Sequence, residues 1–180
     1  LKTKPNPSGR CSRNKRYLSP FTFKSTIFPP DFVLKIDTRE QQSPLFLSKP
    51  PKGLMVMRDT LHNGDYGIKG FDNFCIEKKY AGDLFPYCSS EMVAKTIPKM
   101  ERFREIIDKG GWVGLVIEDT MSNIYKYQEY TNIHPESVRG ALVSFAIRYG
   151  VHVHFAGNRV NTAQWILDHA VKWYNVQKEL

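Results

Sequence analysis

Cysteine is scarce in this sequence. Cys11, Cys75 and Cys88 are the only three, and no two of them share a close spacing. An odd, scattered set makes neither a disulfide framework nor a zinc site, so a reducing, intracellular setting is the simplest expectation. Long apolar runs are also missing. Nothing approaches the roughly 18–20 consecutive apolar residues of a membrane span, and no secretory pattern stands at the start, so no membrane partner is expected. The chain begins at Leu1 rather than Met, which leaves room for domains outside it. There is no internal repeat. Histidine is too sparse for a metal cluster: His152 and His154 share one strand face, but no third His or Cys stands at ligand spacing, and they read as core or interface residues.

Acid is absent from the first 30 residues. Lys2, Lys4, Arg10, Arg13, Lys15, Arg16 and Lys24 stand there unopposed, whereas the remaining 150 residues hold 19 basic and 18 acidic groups. The net charge of +8 therefore belongs almost entirely to an N-terminal arm rich in Lys, Arg, Pro and Ser. Such an arm suits nucleic acid through phosphate neutralisation, with Arg10, Arg13, Lys15 and Arg16 as contacts; a solubilising or localising extension fits the composition equally well. We expect residues 1–30 to be a largely flexible arm, its end from Tyr17 to Phe28 packing through Phe21, Phe23 and Phe28. Residues 31–180 are expected to form one domain, since 41% hydrophobic and 24% charged residues is a globular composition.

Within that domain, Phe32 to Asp37 reads as a buried strand and Leu54 to Leu61 as a second. Asn63-Gly64 is a turn signal. Tyr66 to Ile68 and Phe74 to Lys78 form a hairpin across Lys69–Asn73. A helix from about Glu91 to Asp108 carries Val93, Ile97, Met100, Phe103 and Ile107 at helical spacing, with Pro98 expected to bend or split it. Trp112 to Asp119 is a continuous apolar run ending on acids, as in a strand buried on both faces. Met121 to Tyr130 is a loop or short helix. A helix from about His134 to Tyr149, a strand from Val151 to Phe155 and a helix from about Thr162 to Gln177 complete the chain. The order predicts an α/β domain with a mixed central β-sheet flanked by helices on both faces.

Chemistry concentrates between Asn63 and Leu84. Asp65 stands on one side of the hairpin, Glu77 and Lys79 on the returning strand, and Asp83 just beyond it. Two residues apart, Glu77 and Lys79 leave an extended strand on the same face, and Lys78 leaves on the other. Carboxylates that bind a hard divalent cation, beside an ammonium, are what metal-assisted phosphodiester hydrolysis requires. Taken singly, each residue has a plainer role. Asp37 or Asp65 can cap a turn, Asp83 can sit in a helix's first turn, Glu77 and Lys79 can be an ion pair, and Arg39 can pair with an acid.

In order along the chain, Asp37-Thr38-Arg39-Glu40, Gly64-Asp65-Tyr66 and Glu77-Lys78-Lys79-Tyr80-Ala81-Gly82-Asp83 resemble the motifs of the nuclease domain of XPF-type structure-specific endonucleases. The likeness runs from about Phe32 to Tyr174. It implies a restriction-endonuclease-like nuclease fold and magnesium- or manganese-dependent cleavage of branched or flapped DNA in repair or recombination, leaving a 5′-phosphate and a 3′-hydroxyl. Carried over by position, Asp37, Asp65 and Glu77 would hold the metal, Lys79 would handle the water or the phosphate charge, and Glu40 and Asp83 would complete the catalytic set. Arg39 would clamp phosphate. Lys78 stands where the family has Arg and bears on packing or phosphate contact. The resemblance further implies a homodimer or heterodimer through the C-terminal helices, where Trp165 and Trp173 are the large apolar groups. It implies a nuclear location in a eukaryote and a cytoplasmic one otherwise. Two alternatives remain: a non-catalytic DNA-binding scaffold subunit, and a less structure-selective DNA nuclease, since no helix-hairpin-helix module follows within this chain.

Overall fold

The computed structural model describes residues 26–40, 45–48, 50–90 and 93–179. The first strand, β1 (Val33–Asp37), is followed by a single helical turn, α1 (Leu45–Ser48), and by β2 (Met55–Asp59), which lies parallel to β1. β3 (Tyr66–Ile68) and β4 (Phe71–Lys79) make the expected hairpin, but Ile68 pairs with Phe71 across a tighter turn than the sequence pattern implies. Gly70 makes the tight turn feasible, because its φ of 82° is strained for any residue with a Cβ. After two intervening helices, β5 (Trp112–Ile117) pairs parallel to β4, and β6 (His152–Phe155) extends the sheet from β5. The strand order is β2-β1-β3-β4-β5-β6.

Helices cover both faces, and the strand alternation decides which side chains they meet. Leu34, Ile36, Phe74, Ile76 and Val116 face one layer, where Phe46 of α1 packs with α6 (Arg159–Glu179) through Ala163, Ile166, Leu167, Ala170, Val171 and Tyr174. Cys75, Val113, Leu115 and Ile117 face the other. There they meet α2 (Ala81–Tyr87), α3 (Val93–Asp108) and α5 (Pro135–Tyr149) through Leu84, Phe85, Met100, Phe103, Val138, Leu142 and Phe145. The continuous apolar run of β5 is thereby buried on both sides, as expected.

α3 is not split at Pro98. The carbonyl that Pro98 leaves without an N–H partner belongs to Ala94, which is exposed to water near the start of the helix. α2 was not evident from periodicity: seven residues including Gly82 and Pro86 are a poor helix former, and burial of Leu84 and Phe85 holds it in place. α4 (Met121–Ile124) is one turn capped by Thr120. Among the described residues no helix is long and apolar enough to cross a membrane.

Of the N-terminal arm, Thr26 hydrogen bonds to Asp168 on α6 at 2.9 Å, and Phe28 packs beside Phe32. Arg10, Arg13, Lys15, Arg16, Phe21 and Phe23 lie outside the described residues. Trp165 and Trp173 both join aromatic clusters within the chain. Trp165 stacks on His169 and His154, and Trp173 packs against Phe71 and Phe74.

Topology also places the site. β3 is antiparallel to both β1 and β4, so the ends of β1 and β4 and the start of β3 share one edge of the sheet. Asp37, Asp65 and Glu77 emerge there on three adjacent strands.

Candidate active site

Asp37 ends β1 and is almost fully buried, with 1% of its surface exposed. One oxygen accepts from the Arg39 amide at 2.7 Å and from Arg39 Nε at 2.8 Å. The other accepts from Arg39 Nη2 at 2.8 Å and from the Leu61 amide at 2.9 Å. The bond to the amide two residues on is the turn-forming habit of aspartate, and the guanidinium fork closes on the same carboxylate. Together they hold Asp37 down to about 2, the Arg39 guanidinium contributing most. Both carboxylate oxygens are therefore engaged.

Asp65 follows a glycine for a steric reason. Gly64 has φ 68°, and a Cβ there would collide with Cys75 Sγ and lie 2.7 Å from the Ile76 carbonyl oxygen. Only glycine lets the chain pass this close to β4 and deliver Asp65 to the sheet edge. The Asp65 amide donates to Ile76 O at 2.8 Å and its carbonyl accepts from the Asp37 amide at 2.9 Å, so the backbone stitches the two acids together. The Asp65 carboxylate accepts from the Lys78 amide at 2.7 Å. Burial, followed by the charge of Glu77, pushes Asp65 up to about 7.

Glu77 is completely buried. Burial alone would raise its pKa; the ammoniums of Lys79 and Lys99 outweigh it and hold Glu77 below the usual glutamate value. Lys79 bonds Glu77 Oε1, and Lys99 Nζ lies 2.6 Å from both Oε1 and Oε2. Oε2 nevertheless receives no hydrogen bond of suitable direction. Lys79 also sits over the ring of Tyr87 on α2, 4.9 Å from its centroid, so the unforeseen helix positions a foreseen lysine.

The other motif residues fall around this centre. Lys78 points to the opposite face, as alternation requires, and its ammonium makes a buried ion pair with Glu40 at 3.3 Å. Both side chains are largely enclosed, and both residues border the cleft. Asp83 lies in the first turn of α2, where its carboxylate raises the nearby Tyr80 phenol above the ordinary tyrosine value. Asp119 caps the turn after β5 by accepting from the Thr120 amide at 2.7 Å. In the following segment Tyr125 packs on Phe155, Tyr127 on His134 and Tyr130 on Phe85.

A cleft of about 540 Å³ gathers Asp37, Arg39, Glu40, Asp65, Glu77, Lys79 and Asp83. It also draws in His62 and a basic face of α3, Lys95, Lys99 and Arg102, that motif reasoning missed. The signal was present as i, i+4, i+7 spacing on a helix, beside the apolar stripe.

The three acids do not converge as a ligand set. Among the described residues, no group of three acids, histidines or cysteines stands close enough to hold a metal ion. Asp37 is the reason on one side, because Arg39 and Leu61 N occupy its oxygens. Asp65 and Glu77 do fit a hard cation. Burial and then Glu77's charge raise the Asp65 carboxyl, a shift that a cation held beside it would oppose, and Glu77 Oε2 lacks a directed partner. Magnesium is commonly held by one or two carboxylates, with water and substrate phosphate completing the shell.

A mixed six-stranded sheet clad on both faces, with acids and lysines at one edge, is the restriction-endonuclease-like α/β fold in its XPF-type form. The chain is similar to XPF from Aeropyrum pernix, with a TM-score of 0.58 and 18% identity over 79% of this chain and 65% of that one. It is also similar to XPF from Aeropyrum pernix in complex with DNA, with a TM-score of 0.60 and 17% identity over 81% and 66%. The chain thus spans just under two thirds of these relatives. Comparison with curated proteins finds no match. The ERCC4 domain matches residues 36–168, and the chain belongs to that family.

Proposed function

We propose that this chain is an endonuclease that hydrolyses phosphodiester bonds in branched or flapped DNA, with a divalent cation, magnesium or manganese, held by Asp65 and Glu77. The observation that carries the reading is one open cleft that gathers half-buried Asp65 and buried Glu77, the latter paired with Lys79 and Lys99. DNA as substrate is supported by family membership and by the related fold solved with DNA. A hard cation bound there supplies Lewis-acid polarisation of the scissile phosphate and lowers the pKa of water.

The chain's own residues account for the remaining tasks. Lys79, fixed by Glu77 and Tyr87, orients the attacking water and opposes charge growing on the phosphate oxygens. Arg39 is 68% exposed, and its Nη1 carries none of the bonds to Asp37 or Leu61, so that edge of the fork faces an incoming phosphate. Asp37 thus acts here as the anchor of Arg39 rather than as a cation ligand. Glu40 and Asp83 act through Lys78 and Tyr80 to hold the walls of the cleft.

The test is cleavage of a labelled 3′-flap, a duplex and a single strand of equal length, with magnesium and then manganese, by the wild type and by Asp65→Asn. Cutting by the wild type that is lost in the variant supports the reading, and flap preference supports its substrate. Equal cutting of all three substrates assigns a less selective nuclease. DNA binding without cutting by either protein overturns catalysis in favour of a scaffold subunit.

A further inference from the structure

The basic face of α3 is the largest feature of the cleft that the motif residues leave unexplained. At about 100° per residue, Lys95, Lys99 and Arg102 fall within about 60° of arc; Glu101 and Asp108 of the same helix lie at least about 100° from any of them, and Glu105 lies about 60° from Arg102, one turn further along. None of these three acids lines the cleft, although Glu105 borders a neighbouring cavity with Arg102. Each basic group keeps hydrogen-bonding capacity. Lys95 is exposed, with no ion-pair partner among the described residues. Lys99 donates to Glu77 Oε1 and lies 2.6 Å from Oε2 without a directed bond to it, so its ammonium keeps donors to spare. Arg102 donates Nε to Asn63 Oδ1 and Nη1 to Pro98 O, both at 3.2 Å, which leaves Nη2.

The spacing matches a nucleic-acid backbone. Seven residues of helix separate Lys95 from Arg102 by about 10 Å, and one strand of B-form DNA presents about three phosphates over that length. The row runs beside the acids: α3 packs on β4 and β5, and its middle member already touches Glu77. Arg39 closes the opposite end of the acid floor, in the turn just after β1, which lies two strands from β4.

Resting on the nuclease reading above, we propose that Lys95, Lys99 and Arg102 form a phosphate track. It holds three consecutive phosphates of one DNA strand along α3, and Lys99 bridges the central phosphate to Glu77. The track fixes which stretch of backbone lies over Asp65 and Glu77, and so selects the bond presented for cleavage.

The test is the salt dependence of DNA binding, by fluorescence anisotropy without divalent cation, on a labelled single strand and a labelled duplex. Lys95→Ala/Arg102→Ala removes two contacts and leaves Lys99 in place. Lys52→Ala/Lys172→Ala removes two exposed charges remote from the cleft and serves as the control. Thermal melts of all proteins verify folding, and Lys95→Arg/Arg102→Lys tests rescue. The proposal predicts that the slope of log Kobs against log salt becomes shallower by about 1.4 on the single strand or about 1.8 on the duplex. The control keeps the wild-type slope, and the charge-conserving double variant restores it. A wild-type slope in Lys95→Ala/Arg102→Ala, or an equal change in the control, overturns the track and leaves the nuclease reading standing. A wild type that binds neither DNA overturns both.

Discussion

Half-buried Asp65 and fully buried Glu77 share the cleft, and their surroundings push them in opposite directions. Lys79 and Lys99 keep Glu77 ionised, whereas burial and Glu77's own charge hold Asp65 at about 7 in the folded chain against an ordinary aspartate value of 3.8. Between those values the folded protein binds more protons than the unfolded one, so Asp65 makes folding less favourable as pH rises from about 4 to about 7. Asp37 has the opposite sign: held at about 2, it contributes stability above about 4 that is lost as pH falls through about 2. Urea titrations of the metal-free wild type and Asp65→Asn across pH 4.5 to 8 should therefore diverge. The variant should gain relative stability with rising pH and level off near 7; a pH-independent difference would contradict the assignment. Lys79→Met should lower single-turnover cleavage by about 10²–10⁴-fold while changing DNA affinity little. A change confined to affinity would make Lys79 a binding group only.

Elements place these residues by rules that leave distinct mutational signatures. Gly64 lets the loop before β3 pass against β4, so Gly64→Ala should cost upwards of about 2 kcal/mol in chemical denaturation, from left-handed strain and crowding together. A neutral result would mean the loop has another path. The Lys78–Glu40 pair, with side chains 7% and 9% exposed, predicts that either Lys78→Met or Glu40→Gln alone costs about 3–5 kcal/mol and that the double variant recovers much of it. Additive losses would mean the two groups do not act as a pair. The same elements show how far the sequence was legible. The alternation in β4, the apolar run of β5 and the stripes of α3, α5 and α6 are periodic signals, and they placed Asp37, Asp65, Glu77 and Lys79 at one sheet edge. α2 lacked such a signal because Gly82 and Pro86 oppose a helix that only tertiary burial forms. The partners of Glu77 and Asp37 were not legible either: Lys99 is 22 residues from Glu77, and whether Arg39 bonds Asp37, Glu40 or a phosphate depends on how the turn after β1 folds.

At the scale of the whole molecule, the sheet separates two jobs. Both faces bury an apolar layer, one under α6 and the other under α2, α3 and α5, and the second also carries the basic residues of α3 that line the cleft. Asp65, Glu77, Lys79 and Lys99 also line a single cleft, so under the proposed function cation binding and DNA binding would depend on each other. The measurement that tests the account most directly is manganese binding by calorimetry, on the wild type, Asp65→Asn, Glu77→Gln and Asp37→Asn at pH 8. Asp65→Asn and Glu77→Gln should each weaken binding by at least about 10-fold, while Asp37→Asn stays within a few-fold of the wild type because its carboxylate serves Arg39. Binding that survives loss of Asp65 or Glu77 but fails without Asp37 would contradict the two-carboxylate site on which the account rests.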